Sequence, residues 1–166
     1  MDDVLLKKFL DAIAQNESSG GKNLKHDKTS MGTPGGYWGM KPAEVQTLPQ
    51  RLKNRNMEVP PNLQDLSKQD YEAITQQLNT NRDVDKEVAG SLAKVLLQDE
   101  NENLPRAAYK WHRGPSAKVP ENSKDMLQKH DQYVQKFVDN FGKPSDEDER
   151  QLALLKVMLR NQSAQK

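Results

Sequence analysis

Apolar residues in this chain recur three and four positions apart, the spacing of a helix face, in one segment after another. From Asp3 to Asn16 they fall at Val4, Leu5, Phe9, Ala12 and Ile13, and Gly20-Gly21 then stops the helix. Pro42 suits the first turn of a second helix running to about Arg55, which Val59-Pro60-Pro61-Asn62 breaks. Ser67, with Asp70 three residues on, reads as the cap of a helix carrying Tyr71, Ile74 and Leu78. The next helix begins near Asp83 and carries Val84, Val88, Leu92, Val95 and Leu96, with Asp83 or Asp85 as its cap. Its small residues Ala89, Gly90 and Ala93 are expected to let a neighbouring backbone come close. Another runs from Leu104 to about Trp111 and ends at His112-Arg113-Gly114-Pro115. No segment reads as a strand and no repeat is visible, so the expected fold is all-α.

The C-terminal part reads as an appendage, dividing the chain into a domain over 1–118 and a helical extension over 119–166. A long amphipathic helix is expected from about Asn122 to Asn140, with Met126, Tyr133, Val134, Phe137 and Val138 inward. Gly142-Lys143-Pro144 interrupts it, and Ser145 with Asp148 caps a last helix bearing Leu152, Leu155 and Leu159. The run Asp146-Glu147-Asp148-Glu149-Arg150 supplies first-turn acids to that helix.

Composition removes several function classes. Basic residues number 25 against 24 acidic, with no basic stripe, which argues against nucleic-acid binding. Cysteine is absent, and the three histidines are scattered without metal-ligand spacing, so neither a metal nor another cofactor is expected. Mean hydropathy is −0.98 and no stretch approaches the roughly 18 apolar residues of a membrane span. Acids near the N-terminus and the early Lys7-Lys8 do not resemble a secretory leader. The protein is therefore expected to be made in the cytoplasm, and then to be virion-associated or to reach the periplasm outside the general export route.

Between Ser18 and Lys41 the periodicity vanishes, and Gly32-Thr33-Pro34-Gly35-Gly36 is turn chemistry. A loop this long in a compact domain is usually functional, and Tyr37 and Trp38 are suited to anchor it. Glu17 stands at its edge, where the first helix ends. A glycosidase needs a carboxylic acid held where its pKa is raised, and Glu17 qualifies by its place beside an apolar face and small residues. An isolated Glu at a helix end is more often a solvated surface residue.

Three segments follow in order: Glu17-Ser18-Ser19-Gly20, Gly36-Tyr37-Trp38-Gly39-Met40-Lys41-Pro42, and Ala107-Ala108-Tyr109-Lys110-Trp111-His112-Arg113-Gly114-Pro115. Over about Phe9 to Pro115 the chain resembles the soluble-type lytic transglycosylases of the lysozyme-like superfamily. That family has Glu-Ser at a helix end, a Gly-x-x-Gly-apolar loop and a later Ala-Ala-Tyr-Asn-small-Gly helix end. The resemblance implies a small lysozyme-like helical domain that cleaves between N-acetylmuramic acid and N-acetylglucosamine in peptidoglycan glycan strands, leaving a 1,6-anhydro end. It assigns Glu17 as the acid and then the base, and Tyr109 as the tyrosine that orients it. Ser18 would help hold the sugar, and Gly36, Gly39 and Met40 would floor the groove. A tryptophan is by default a core residue, but a sugar groove also wants aromatic faces, so Trp38 is expected to line it, while Trp111 stays open between the core, a stacking face and a filled subsite. The chain departs from the pattern at Lys41 and Pro42, where a methionine and a glutamine are usual, and at Lys110 and Trp111, where an asparagine and a small residue are usual.

Two other functions stay open at this point. A structural or assembly protein of a virion or secretion apparatus would keep the scaffold without catalysis. A hydrolytic lysozyme would need a second carboxylate, with Asp27, Asp83 and Asp85 as candidates. The segment 119–166 is expected to attach the domain to a virion or secretion-apparatus protein.

Overall fold

A computed structural model of the chain describes residues 2–120 and 131–143, together with positions 154, 157, 158, 160 and 161. Among the described residues seven helices follow one another: α1 (Asp3–Ser18), α2 (Pro42–Lys53), α3 (Pro61–Leu66), α4 (Tyr71–Thr80), α5 (Arg82–Asp99), α6 (Leu104–Arg113) and α7 (Gln132–Asn140). The protein is all-α, as its periodicity predicts. Strand-like pairing among these residues is confined to two isolated bridges, Thr29 with Gly32 and Gly35 with Met40.

The helix ends are set by short polar side chains that satisfy the free N–H groups of each first turn. Asp2, Asp70, Asn81, Asn103 and Asp131 cap α1, α4, α5, α6 and α7 in this way. Three expectations are corrected here. Helix α2 ends at Lys53, ahead of Pro60 and Pro61, which instead open the short helix α3, because proline fits the first helical position. Ser67 therefore ends α3, and Asp70 itself caps α4. Asn81, not Asp83 or Asp85, caps α5, which leaves Asp85 inside the helix and fully buried.

Helix α5 is the hub, packing against α1, α2, α3, α4 and α6. Its Val88, Ala89, Leu92, Ala93, Val95, Leu96 and Leu97 are all buried. Ala89 and Ala93 do lie at close packing, whereas Gly90 faces open space where a Cβ would stand.

Helix α7 belongs to this core. It lies against α1 and α6, and Val134 and Phe137 are buried. The Phe137 ring stands 5.3 Å from Phe9, and Phe9 in turn meets Trp111 edge-on at 6.0 Å. Asn16 Nδ2 donates to the Tyr133 carbonyl at 2.9 Å, and Arg113 pairs with Asp131 at 3.0 Å. A boundary at 118/119 thus separates α7 from the core it completes. The apolar stripe of α7 turns inward on Val134, Phe137 and the partly buried Tyr133, while Val138 at its edge is exposed. Met126, the Ser145 and Asp148 cap, and Leu152, Leu155 and Leu159 lie outside the described residues. Among the described residues no helix is long and apolar enough to cross a membrane.

If α7 is part of one cooperative unit, removing its buried ring destabilises the whole domain. Phe137→Ala is expected to lower the unfolding free energy by about 3–5 kcal/mol in urea titration. A change near zero would return α7 to the status of an appendage.

Candidate active site

Helix α1 ends at Ser18 because Ser19 turns left-handed and sends its N–H back to Ala14 and Gln15. Glu17 therefore occupies the last turn, beside the loop that leads to α2. The loop approaches Glu17 through Gly39, whose φ of +58° and missing side chain are both required there. A Cβ on Gly39 would lie 2.5 Å from Glu17 Oε2. On the other side the Tyr133 hydroxyl of α7 donates to Glu17 Oε1 at 2.7 Å. Burial pushes the Glu17 carboxyl up to about 6, against the Tyr133 hydrogen bond and the charges of Lys41 and Lys136.

The loop itself is fastened by side chains of the surrounding helices. Asn79 Oδ1 accepts the Gly36 N–H at 2.8 Å, and Asp85 Oδ2 accepts the Tyr37 N–H at 2.9 Å. Asp85 also takes a hydrogen bond from Arg82, whose guanidinium lies 3.2 Å over the Tyr37 ring. Gly36, at φ +76°, packs so closely on the Asp85 carboxylate that any side chain would overlap it. Thr75 donates to the Thr33 carbonyl at 2.5 Å, and His26 Nε2 meets the Gly36 carbonyl at 3.2 Å. The Trp38 indole donates to the Leu10 carbonyl at 2.8 Å, and the Trp111 indole to the Trp38 carbonyl at 2.9 Å.

These contacts reassign several residues. Tyr109 does not reach Glu17; its ring carries the Arg113 guanidinium at 4.7 Å, and the tyrosine on the carboxylate is Tyr133. Trp38 and Trp111 are buried, with both indole N–H groups committed to backbone, so neither offers a face to a sugar. Met40 is likewise core. Ser18 is buried and pins the loop: its Oγ donates to the Tyr37 carbonyl at 2.6 Å and accepts the Gly21 N–H at 2.9 Å. Gly36 and Gly39 shape the loop as backbone, Gly39 alone of the two lying on Glu17. Lys110 turns away to pair with Glu100 at 2.8 Å. Asp27 and Asp83 are exposed, and Asp85 is the buried loop clamp.

Two residues escaped the sequence reading. In the sequence Tyr133 reads only as part of the inward face of an amphipathic helix. Its pairing with Glu17 spans 116 positions, and no local pattern reports a contact at that separation. Glu44 stands in the first turn of α2, where an acid is ordinarily explained by the helix dipole. It is only 5 % exposed, and burial pushes it up to about 7, with Lys41 and Arg51 opposing and Glu17 adding to the rise. Among the described residues no three His, Asp or Glu side chains gather as a metal site requires. Comparison with protein-family models, curated proteins and solved structures finds no match to this chain.

The hydrogen bond from Tyr133 favours the charged form of Glu17, so its removal must raise the carboxyl further. In ¹³C NMR titration of the glutamate carboxyls, Tyr133→Phe is expected to move the Glu17 midpoint upward, and Tyr109→Phe to leave it in place. The reverse pattern would restore Tyr109 to the site.

Glu17, Glu44 and Asp85 are all raised in the fold, to about 6, about 7 and about 7. For each, burial is the main cause. Their contribution to stability is complete below about pH 4 and is lost as pH rises through their folded values. The urea unfolding free energy is expected to be lower at about pH 8 than at about pH 5 by on the order of a few kcal/mol. An increase over that interval would contradict the burial of these three acids.

Proposed function

We propose that this protein is a lysozyme-like peptidoglycan lytic transglycosylase with Glu17 as its single acid and base. The observation that carries the reading is the Glu17 carboxyl itself: raised to about 6, packed against the Gly39 backbone, and oriented by the Tyr133 hydroxyl. A carboxyl poised in this range is protonated often enough to give a proton and ionised often enough to take one back.

In this scheme the protonated Glu17 gives its proton to the glycosidic oxygen as the bond from the muramic anomeric carbon breaks. The ionised carboxylate then accepts the proton of the muramic 6-hydroxyl as that oxygen closes on the anomeric carbon. The proton count balances, no water is consumed, and the product carries a 1,6-anhydro ring. Tyr133 holds the carboxylate through the ionised stage, because a phenol hydroxyl stabilises the charged form. The three motif segments in their order support the substrate class. The solvent-exposed Leu154, Val157 and Met158 support a role for the segment beyond 143 in attachment to a virion or secretion-apparatus protein.

Purified peptidoglycan treated with wild-type and Glu17→Gln protein, with products resolved by mass, tests the reading. Anhydro-muropeptides from the wild type, reduced by about 10²–10⁴-fold or more in the variant, are expected. Hydrated products would make the enzyme a lysozyme. No products from either folded protein would leave the scaffold without catalysis.

A further inference from the structure

The tyrosine that bonds Glu17 is itself covered on one face. His112, near the end of α6, lies flat against the Tyr133 ring, with centroids 4.2 Å apart and planes 12° from parallel. Both rings are tied down. The His112 carbonyl accepts the Lys41 ammonium at 2.9 Å, and the Tyr133 carbonyl accepts the Asn16 amide at 2.9 Å. Arg113, the next residue on α6, pairs with Asp131, the cap of α7.

His112 is nevertheless exposed. Tyr133 takes one face of the imidazole, so the ring meets solvent through its other face and its edge. Burial and the Lys41 ammonium hold it toward its neutral form, with Asp131 opposing and Arg113 adding to the effect. A neutral imidazole presents an apolar body with a polar tip. A pyranose ring is complementary to such a group: its C–H faces pack on an aromatic plane, and its rim carries the polar groups. Trp38 and Trp111 are buried and present no such plane, whereas His112 presents one stacked directly on the tyrosine of the acid. Because the plane is already fixed, a ligand that lies on it orders little that was free.

We propose that the exposed face of His112 is a stacking subsite for an N-acetylhexosamine of the glycan strand. The proposal rests on that strand lying beside Glu17. A sugar on the outer face stands one van der Waals layer beyond the imidazole, about 8 Å from the Tyr133 ring. It is therefore outside the pair of sugars joined by the bond that Glu17 protonates. A contact so placed holds substrate and transition state alike, and so acts on KM and not on kcat.

The probe is tetra-N-acetylchitotetraose, titrated by NMR into the full chain as Glu17→Gln, alone and combined with His112→Ala or His112→Phe. The imidazole C–H signals of His112 are expected to shift and to show NOEs to sugar C–H protons. His112→Ala should weaken binding about two- to tenfold, and His112→Phe should retain it. With Glu17 intact, His112→Ala should raise KM on soluble glycan strands by the same factor, with kcat and the Glu17 carboxyl midpoint kept. A role confined to packing on Tyr133 gives the opposite split: the midpoint moves and kcat falls while the tetrasaccharide affinity stays. That split overturns the proposal, as do binding that leaves the imidazole signals unmoved and a lack of binding at millimolar probe. The NOEs decide if the alanine variant does not fold. Binding through His112 without peptidoglycan cleavage by the wild type would refute the catalytic reading and leave the subsite standing.

Discussion

A stretch of backbone without a regular ladder must find partners for its N–H and C=O groups elsewhere, and here the segment from Met31 to Met40 finds them on the surrounding helices. Its own pairing amounts to the bond pair between Gly35 and Met40 and the turn closed by Thr29 and Gly32. The surrounding helices supply further partners: Ser18 of α1, Thr75 and Asn79 of α4, Asp85 of α5 and the Trp111 indole of α6. Each of these partners sits on an element fixed by its own core packing. The loop is therefore held in one place relative to α1, and Gly39 comes to rest against the Glu17 carboxylate as a result.

The same arrangement explains which residue types the loop needs. Gly36 and Gly39 have positive φ and each lies against a carboxylate, so neither tolerates a side chain. Ser18 and Trp38 then take structural duties that their sequence context disguises. A serine following an acid, or a tryptophan in a glycine-rich loop, invites a sugar-binding reading. Both are buried, and both commit their polar atoms to backbone that would otherwise lack partners. The stacking faces a glycan groove would want are thus not supplied by the two tryptophans.

Periodicity in the sequence was sufficient to read the all-helical class, the starts of α2 and α6 and most of the buried positions, because burial on one helix face repeats locally. Gly20-Gly21 and Glu17 at the edge of α1 were legible for the same reason. What could not be read was pairing at long separation. Nothing near Tyr133 distinguishes a tyrosine that packs from one that bonds a carboxylate on another helix. Tyr109, three residues before His112, had the better motif but points its ring toward Arg113. Asp85 shows the converse error: an acid near a helix start looks like a cap, yet it lies one turn inside, facing a loop about 48 positions back.

Burial and charge act on Glu17 in opposite directions. Burial raises its carboxyl, and it does so because loop and helix α7 close over it from two sides. The Tyr133 hydroxyl, Lys41 and Lys136 all favour the charged form and hold the rise to about 6. Without those three the carboxyl would hold its proton to a higher pH; without the burial it would titrate closer to the ordinary glutamate range. Two of the three, Tyr133 and Lys136, are supplied by α7. The helix that reads as an appendage in the sequence is therefore what converts a buried glutamic acid into one able to exchange its proton, and a domain ending before it would lack that balance.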